Sequence, residues 1–258
     1  MAIHFKKSGS GPALVLIHGF PMNRQVWDQF EASLADRFTI FTPDLPGFGS
    51  SEMLPGEFSL QDVAASMNDW VGQEGISDAV LIGHSLGGYV ALEMVRREPD
   101  KFTGLVLFHS TAIADSLEKK ESRTKVLKFI DDNGILAFTS NFIEPLFSDP
   151  SHPAIPFVKS LSMGAHVDTV KGYTRAMRDR RDNVTVLSAF GKPVLLLGGE
   201  SDKGIPADSL VEQGKVRSGI TVSILPEAAH MGMFEMKDDA IQQITDFLSG
   251  FITSRTAR

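Results

Sequence analysis

Six short runs of the sequence are apolar on consecutive residues rather than on alternate ones. They are ALVLIH (13–18), FTIFTPD (38–44), DAVLIGH (78–84), FTGLVLFHS (102–110), GKPVLLLGGESD (191–202) and ITVSILPEAAH (220–230). A strand that is apolar on both sides must be covered on both sides, as happens in a parallel sheet. Amphipathic stretches separate the runs. In RQVWDQFEASLADR (24–37), Val26, Trp27, Phe30 and Leu34 fall on one helical face. SLQDVAASMNDWVGQEG (59–75) opens with Ser59 and carries Asp62 three residues later, a capping-box pattern. PADSLVEQGKV (206–216) and DDAIQQITDFLSGF (238–251) read as two more helices. Strand and helix in alternation predict an α/β fold, a parallel sheet with helices on both faces. SGSGP (8–12) reads as a hairpin turn ahead of it.

The alternation fails between about Thr111 and Asp182. The stretches 119–147 and 153–182 read as helices, broken at Asn133-Gly134, Asp149-Pro150 and Pro153. A sheet interrupted by helices predicts a core domain of residues 1–110 and 183–258 with a helical lid at 111–182.

One junction carries chemistry. The strand DAVLIGH runs into Ser85, Leu86, Gly87 and Gly88, and a helical pattern follows. Gly83-His84-Ser85-Leu86-Gly87 has the form of a nucleophile elbow. A serine held there takes a strained, positive-φ backbone that lifts its oxygen above the sheet. The residues two before and two after it must be small, because strand and helix backbones pass close together. The new helix points its first amides at negative charge forming beside the serine.

A serine hydroxyl needs a base to remove its proton and a third group to orient that base. In an elbow of this kind the chain order is serine, acid, histidine. Of the seven histidines, His230 alone follows Ser85 in a loop leaving a core strand near the C-terminus. The acid is expected on the loop after the preceding strand, where Asp202 is the choice and Glu200 the runner-up; Asp115 is a more distant candidate. Oxyanion stabilisation requires backbone donors. Those expected are the N–H groups of Phe20, after the turn at His18-Gly19, and of Leu86, at the helix start. His18 and His84 are expected to be structural.

Together HGFPMN, DLPGFGSSE, GHSLGG, GGESD and AAHMGMFE resemble the α/β-hydrolase superfamily, in its order and over nearly the whole chain. The resemblance implies an eight-stranded, mostly parallel sheet with a helical lid after the sixth strand. It implies that Asp44 binds backbone in a structural loop. Relatives with an aspartate at the elbow cleave alkyl halides and epoxides, because a carboxylate gives an ester that water can open. Ser85 would give a dead-end ether, so it points to attack on a carbonyl and an acyl-enzyme.

The activity this predicts is hydrolysis of a small to medium carboxylic ester or lactone by a Ser85–His230–Asp202 triad. Alternatives on the same triad are carbon–carbon bond hydrolysis of ring-cleavage products, thioester cleavage and cofactor-free perhydrolysis. The carbon–carbon reading would draw on Arg175, Arg178, Arg180 or Arg181 to hold a dienoate. A non-catalytic binding protein on the same fold is the alternative of another class. His109, Phe138, Phe142, Met163 and Met231 are the candidate pocket residues.

The net charge of −7 offers no basic excess to neutralise phosphates, so nucleic acid is not an expected partner. No window nears the roughly 18 consecutive apolar residues of a membrane span, and no long apolar stretch precedes Pro12. A soluble cytoplasmic protein acting on a small ester or lactone is expected, and a homodimer is compatible with the sequence. The chain has no cysteine. No histidine–carboxylate group has metal-ligand spacing along the sequence, and the mechanism calls for neither metal nor other cofactor.

Overall fold

The computed structural model describes the backbone of residues 1–255 and the side chains of residues 1–249. Its sheet has seven strands: β1 (Phe5–Ser8), β2 (Ala13–Ile17), β3 (Thr39–Pro43), β4 (Ala79–His84), β5 (Phe102–Phe108), β6 (Val194–Gly199) and β7 (Ile220–Leu225). Their spatial order is β1-β3-β2-β4-β5-β6-β7. Only β1 is antiparallel to its neighbour.

Seven strands replace the eight that the resemblance implied, and the helical insertion therefore follows the fifth strand in chain order. The four residues ahead of β1 form no strand of their own. Asp44 N–H donates to the His4 carbonyl and Glu52 N–H to the Ala2 carbonyl. This segment runs on beside the exit of β3 instead of lying along the outer edge of β1. That edge carries the exposed Lys6 and Lys7, whose charges discourage further pairing. The SGSGP stretch is not a hairpin turn between paired strands. It carries the chain past the end of β3, which sits between β1 and β2.

The helices of the alternating part are α1 (Asp28–Leu34), α2 (Leu60–Gln73) and α3 (Leu86–Arg97). Between β5 and β6 lie α4 (Leu117–Asn133), α5 (Ile135–Phe142), α6 (Ile155–Met163), α7 (Val167–Arg178) and α8 (Val184–Ala189). The remainder are α9 (Ala207–Gly214), α10 (Gly232–Glu235) and α11 (Lys237–Arg255). Helix α2 starts on the capping box read from the sequence, with Ser59 and Asp62 bonding reciprocally. Helix α4 ends at Gly134, whose φ of 83° closes the turn predicted at Asn133-Gly134. One break went unread: Gly164 ends α6, and His166 caps α7 by accepting from Asp168 N–H.

Successive strand residues enter two different cores, which is why the runs are apolar without alternation. Val15, Ile17, Leu81, Leu105 and Leu196 pack with α2 and α3. Leu14, Leu16, Val80, Ile82 and Leu195 pack with Trp27, Phe30 and Leu34 on one side and with Ile244 and Leu248 of α11. Each such fully buried side chain contributes about 1.5–3 kcal/mol relative to exposure.

This topology fixes where a site can form. The chain leaves β2 to build β3 on one side and returns to build β4 on the other. A crevice opens where the strand order reverses, at the carboxyl ends of β2 and β4. Phe20 follows one of those ends and Ser85 the other.

Candidate active site

Ser85 has φ 51° and ψ −114°, a left-handed backbone rarely taken by a residue with a side chain. Its surroundings hold it there. Ser85 N–H donates to the Phe108 carbonyl at 2.9 Å, and its own carbonyl accepts from Ser110 Oγ at 2.7 Å. A methyl group at Gly83 would overlap the Gly87 carbonyl, and one at Gly87 would overlap the Ile17 carbonyl. Both glycines are therefore required by backbone approaching backbone.

His230 arrives from the loop after β7, and two features seat that loop. Gly199, at the end of β6, has no side chain because the carbonyls of Ala228 and Ala229 pass against its Cα. The Glu235 carboxylate accepts from the N–H groups of Ala229 and Met231, at 3.1 and 3.0 Å, and from Ser148 N–H. The His230 N–H donates to the Leu146 carbonyl, and its carbonyl accepts from Nε2 of His84 at 2.9 Å.

The three side chains then fall into one line. His230 Nε2 lies 2.9 Å from Ser85 Oγ, and His230 Nδ1 lies 2.7 Å from Asp202 Oδ2. The carboxylate accepts at Nδ1, so Nε2 is left to accept the serine proton. Asp202 Oδ1 accepts from the N–H groups of Gly204 and Ile205, at 2.8 and 3.0 Å. Burial pushes the Asp202 carboxyl up, but the electrostatic pull of the neighbouring His230 and the hydrogen bonds from His109 and His230 outweigh it. The carboxyl is held well below the ordinary carboxylate range.

Among the described residues, neither the Phe20 N–H nor the Leu86 N–H donates a hydrogen bond within the protein. Leu86 is the first residue of α3, where such orphan donors belong. The buried His18 bridges the loop after β2, with Nδ1 on the Gly19 carbonyl and Nε2 accepting from Leu45 N–H at 2.9 Å. Asp44 accepts from Arg24 N–H and Ser50 N–H.

Ser85 and His230 open on a cavity of about 260 Å³, which Phe20, Tyr89, Lys119, Arg123, Phe142 and Met177 help to line. Of the pocket residues expected from sequence, Phe142 lines it. Phe138 packs behind, against Phe20 and Phe142. Met231 is sealed in the core, and Met163 is 51% exposed on α6. His109 is buried behind Asp202, with Nδ1 at 3.2 Å from Oδ2. Glu200 is exposed, and Asp115 is buried between Arg123 and Arg180. None of the four arginines 175, 178, 180 and 181 lines this cavity; Arg175 and Arg178 border a separate cavity of about 860 Å³ beside α2 and α7.

The sequence reading missed Tyr89, Lys119 and Arg123. Positions 119, 122, 123 and 126 share one helical face, but that face is as charged as the rest of the helix, so periodicity did not single it out. The sequence reading also missed that donor atoms of His109, Asp202 and His230 all lie within 4.8 Å of one another. A metal there would have to displace the hydrogen bonds just described.

The family described as "Alpha/beta hydrolase family" matches residues 14–243. A thermophilic esterase from Thermogutta terrifontis, solved with malate bound, superposes with a TM-score of 0.90 at 28% identity, covering 96% of this chain and 93% of that one. The 2-(acetamidomethylene)succinate hydrolase of Mesorhizobium japonicum is 25% identical over 262 residues, 96% of this chain and 92% of that protein. An uncharacterized protein of Mycobacterium tuberculosis is 39% identical over 103 residues, which is 40% of this chain; the match spans 30% of that relative's length.

Proposed function

The chain belongs to the α/β-hydrolase family, and on that premise we propose that it hydrolyses small to medium carboxylic esters or lactones with Ser85 as nucleophile, His230 as base and Asp202 as orienting acid. The observation that carries this reading is the continuous hydrogen-bonded line from Ser85 Oγ through both nitrogens of His230 to Asp202. Ser85 Oγ attacks the carbonyl carbon while its proton passes to His230 Nε2. The carbonyl oxygen gains the negative charge and is met by the Phe20 and Leu86 N–H groups. The bond to the alcohol breaks, and the alcohol leaves with the proton from His230. Water, deprotonated by His230, then opens the acyl-enzyme and restores Ser85.

Residues 111–182 act in this reading as a lid, since Lys119, Arg123, Phe142 and Met177 bring side chains from that segment to the cavity. No described helix is long and apolar enough to cross a membrane. The names of the Thermogutta and Mesorhizobium relatives support hydrolysis of a small molecule. The test is Ser85→Ala against p-nitrophenyl butyrate, with a fluorophosphonate probe on the unaltered protein. Turnover should fall by about 10³-fold or more, and the probe should label Ser85. Wild-type rates in the variant, or no label, would sink the proposal.

A further inference from the structure

The cavity beside Ser85 has an imbalance of charge. Lys119, Arg123 and Lys203 line it, against the single carboxylate of Asp202. That carboxylate is already committed to His230, His109 and two backbone N–H groups. Behind the wall stands one more acid, the buried Asp115, which is shared between Arg123 and Arg180. Arg180 is fully engaged: it bonds Asp115 and the carbonyls of Met177 and Ile113, and its guanidinium lies 4.1 Å from the ring centre of Tyr89. Four cations thus surround two carboxylates, in a chain whose net charge is −7.

The two cations on α4 are positioned rather than free. Arg123 spends Nε on Asp115, which fixes the plane of its guanidinium, and among the described residues its two terminal nitrogens make no hydrogen bond. Lys119, one helical turn earlier, donates to the Gly204 carbonyl at 2.6 Å. Burial pushes the Lys119 ammonium below its ordinary value; Asp115 and Asp202 oppose that, while Arg180 and Arg123 add to it. The two acids near the lysine are both already engaged, Asp115 by Arg123 and Arg180 and Asp202 by His230, His109 and backbone N–H groups. An anion in the cavity would meet Lys119 and the terminal nitrogens of Arg123.

Resting on the ester-hydrolase reading above, we infer that the substrate carries a carboxylate, held by Lys119 and Arg123 with Lys203 at the mouth, so that this is an esterase of acidic esters. The fork of a guanidinium matches a carboxylate with two parallel N–H donors, and a lysine adds a point charge. The same cavity offers Val126, Phe142, Leu146 and Met177 to the carbon chain between that carboxylate and the ester.

The test pairs mono-p-nitrophenyl succinate, glutarate and adipate with neutral p-nitrophenyl esters of equal carbon count. At least one acidic ester should exceed its neutral partner about tenfold in kcat/KM, and Lys119→Gln should cut that ratio about fivefold or more, with Lys203→Gln cutting it less. Titration of glutarate into the protein reads the subsite without turnover, and Lys119→Gln should weaken that binding about fivefold. Acidic esters no better than neutral ones throughout, or a Lys119→Gln ratio equal to that of the unaltered protein, would overturn the inference. If no ester of either kind is cleaved and Ser85 takes no fluorophosphonate, the hydrolytic reading fails instead. Glutarate binding lost in Lys119→Gln then still supports the subsite, and its absence from the unaltered protein removes it.

Discussion

The backbone N–H of Gly232 donates to Nε2 of His109 at 3.2 Å. That bond decides the tautomer of a buried imidazole. With Nε2 accepting, the proton of His109 is on Nδ1, which donates to Asp202 Oδ2. The same oxygen accepts from His230. Asp202 thus receives four donors, and one comes from a histidine that does not reach the cavity. Removing that donor leaves the carboxylate less satisfied and a stronger acceptor for His230. His109→Phe should raise the acid limb of the kcat/KM pH profile by about half a unit and lower kcat about tenfold or less, and His109→Gln should restore part of both. An unmoved acid limb would reduce His109 to a packing residue.

The juxtaposition of Ser85, His230 and Asp202 was legible because each stands just past the end of an apolar run, and the parallel sheet brings those ends together. His109 was not, because its relation to Asp202 runs between the neighbouring strands β5 and β6, through residues 93 apart in sequence. Chain neighbours misled in the same way at the edge of the sheet. SGSGP looks like a hairpin turn, but β1 pairs with β3, and sequence proximity carries no information about which strand is inserted between two others. In the insertion, apolar periodicity found the helices but not the wall of the cavity. That wall uses Lys119 and Arg123, charged residues that read as a solvated surface until the fold places them.

Glycines of the elbow test the local packing directly. A Cβ on Gly87 would overlap the carbonyls of Ile17 and His18, and neither backbone can move without shifting β2. Gly87→Ala should cost about 2–3 kcal/mol in urea unfolding. Gly72, in α2, makes the opposite case. Its added Cβ would meet nothing nearer than Lys101 Nζ at 3.6 Å. Gly72→Ala should stabilise by about 0.5–1 kcal/mol, since it removes chain entropy from the unfolded state. Equal effects of the two substitutions would contradict the close approach of α3 to β2.

Acid should destabilise the fold in two stages. His18, His84 and His109 are fully buried, and burial is the largest cause holding each below the ordinary histidine value of 6.5. His84 is the extreme case: Nε2 donates to the His230 carbonyl, and Nδ1 is a buried lone pair without a partner. Because the folded values lie below the unfolded ones, the unfolded chain takes up protons first as pH falls through 6.5. Stability therefore declines on that side, by about 1.4 kcal/mol per pH unit for each histidine that titrates only when unfolded. Asp202 acts later. Its folded carboxyl lies below the unfolded value of 3.8, so its contribution is intact above that pH and is lost only as pH falls further. Urea midpoints measured from pH 8 to pH 5 should fall mainly below about 6.5, and His109→Gln should shallow that slope by about one proton. A midpoint that stays flat from pH 7 to pH 5 would mean that these histidines protonate within the folded protein, and that the neutral tautomers assigned to them are wrong.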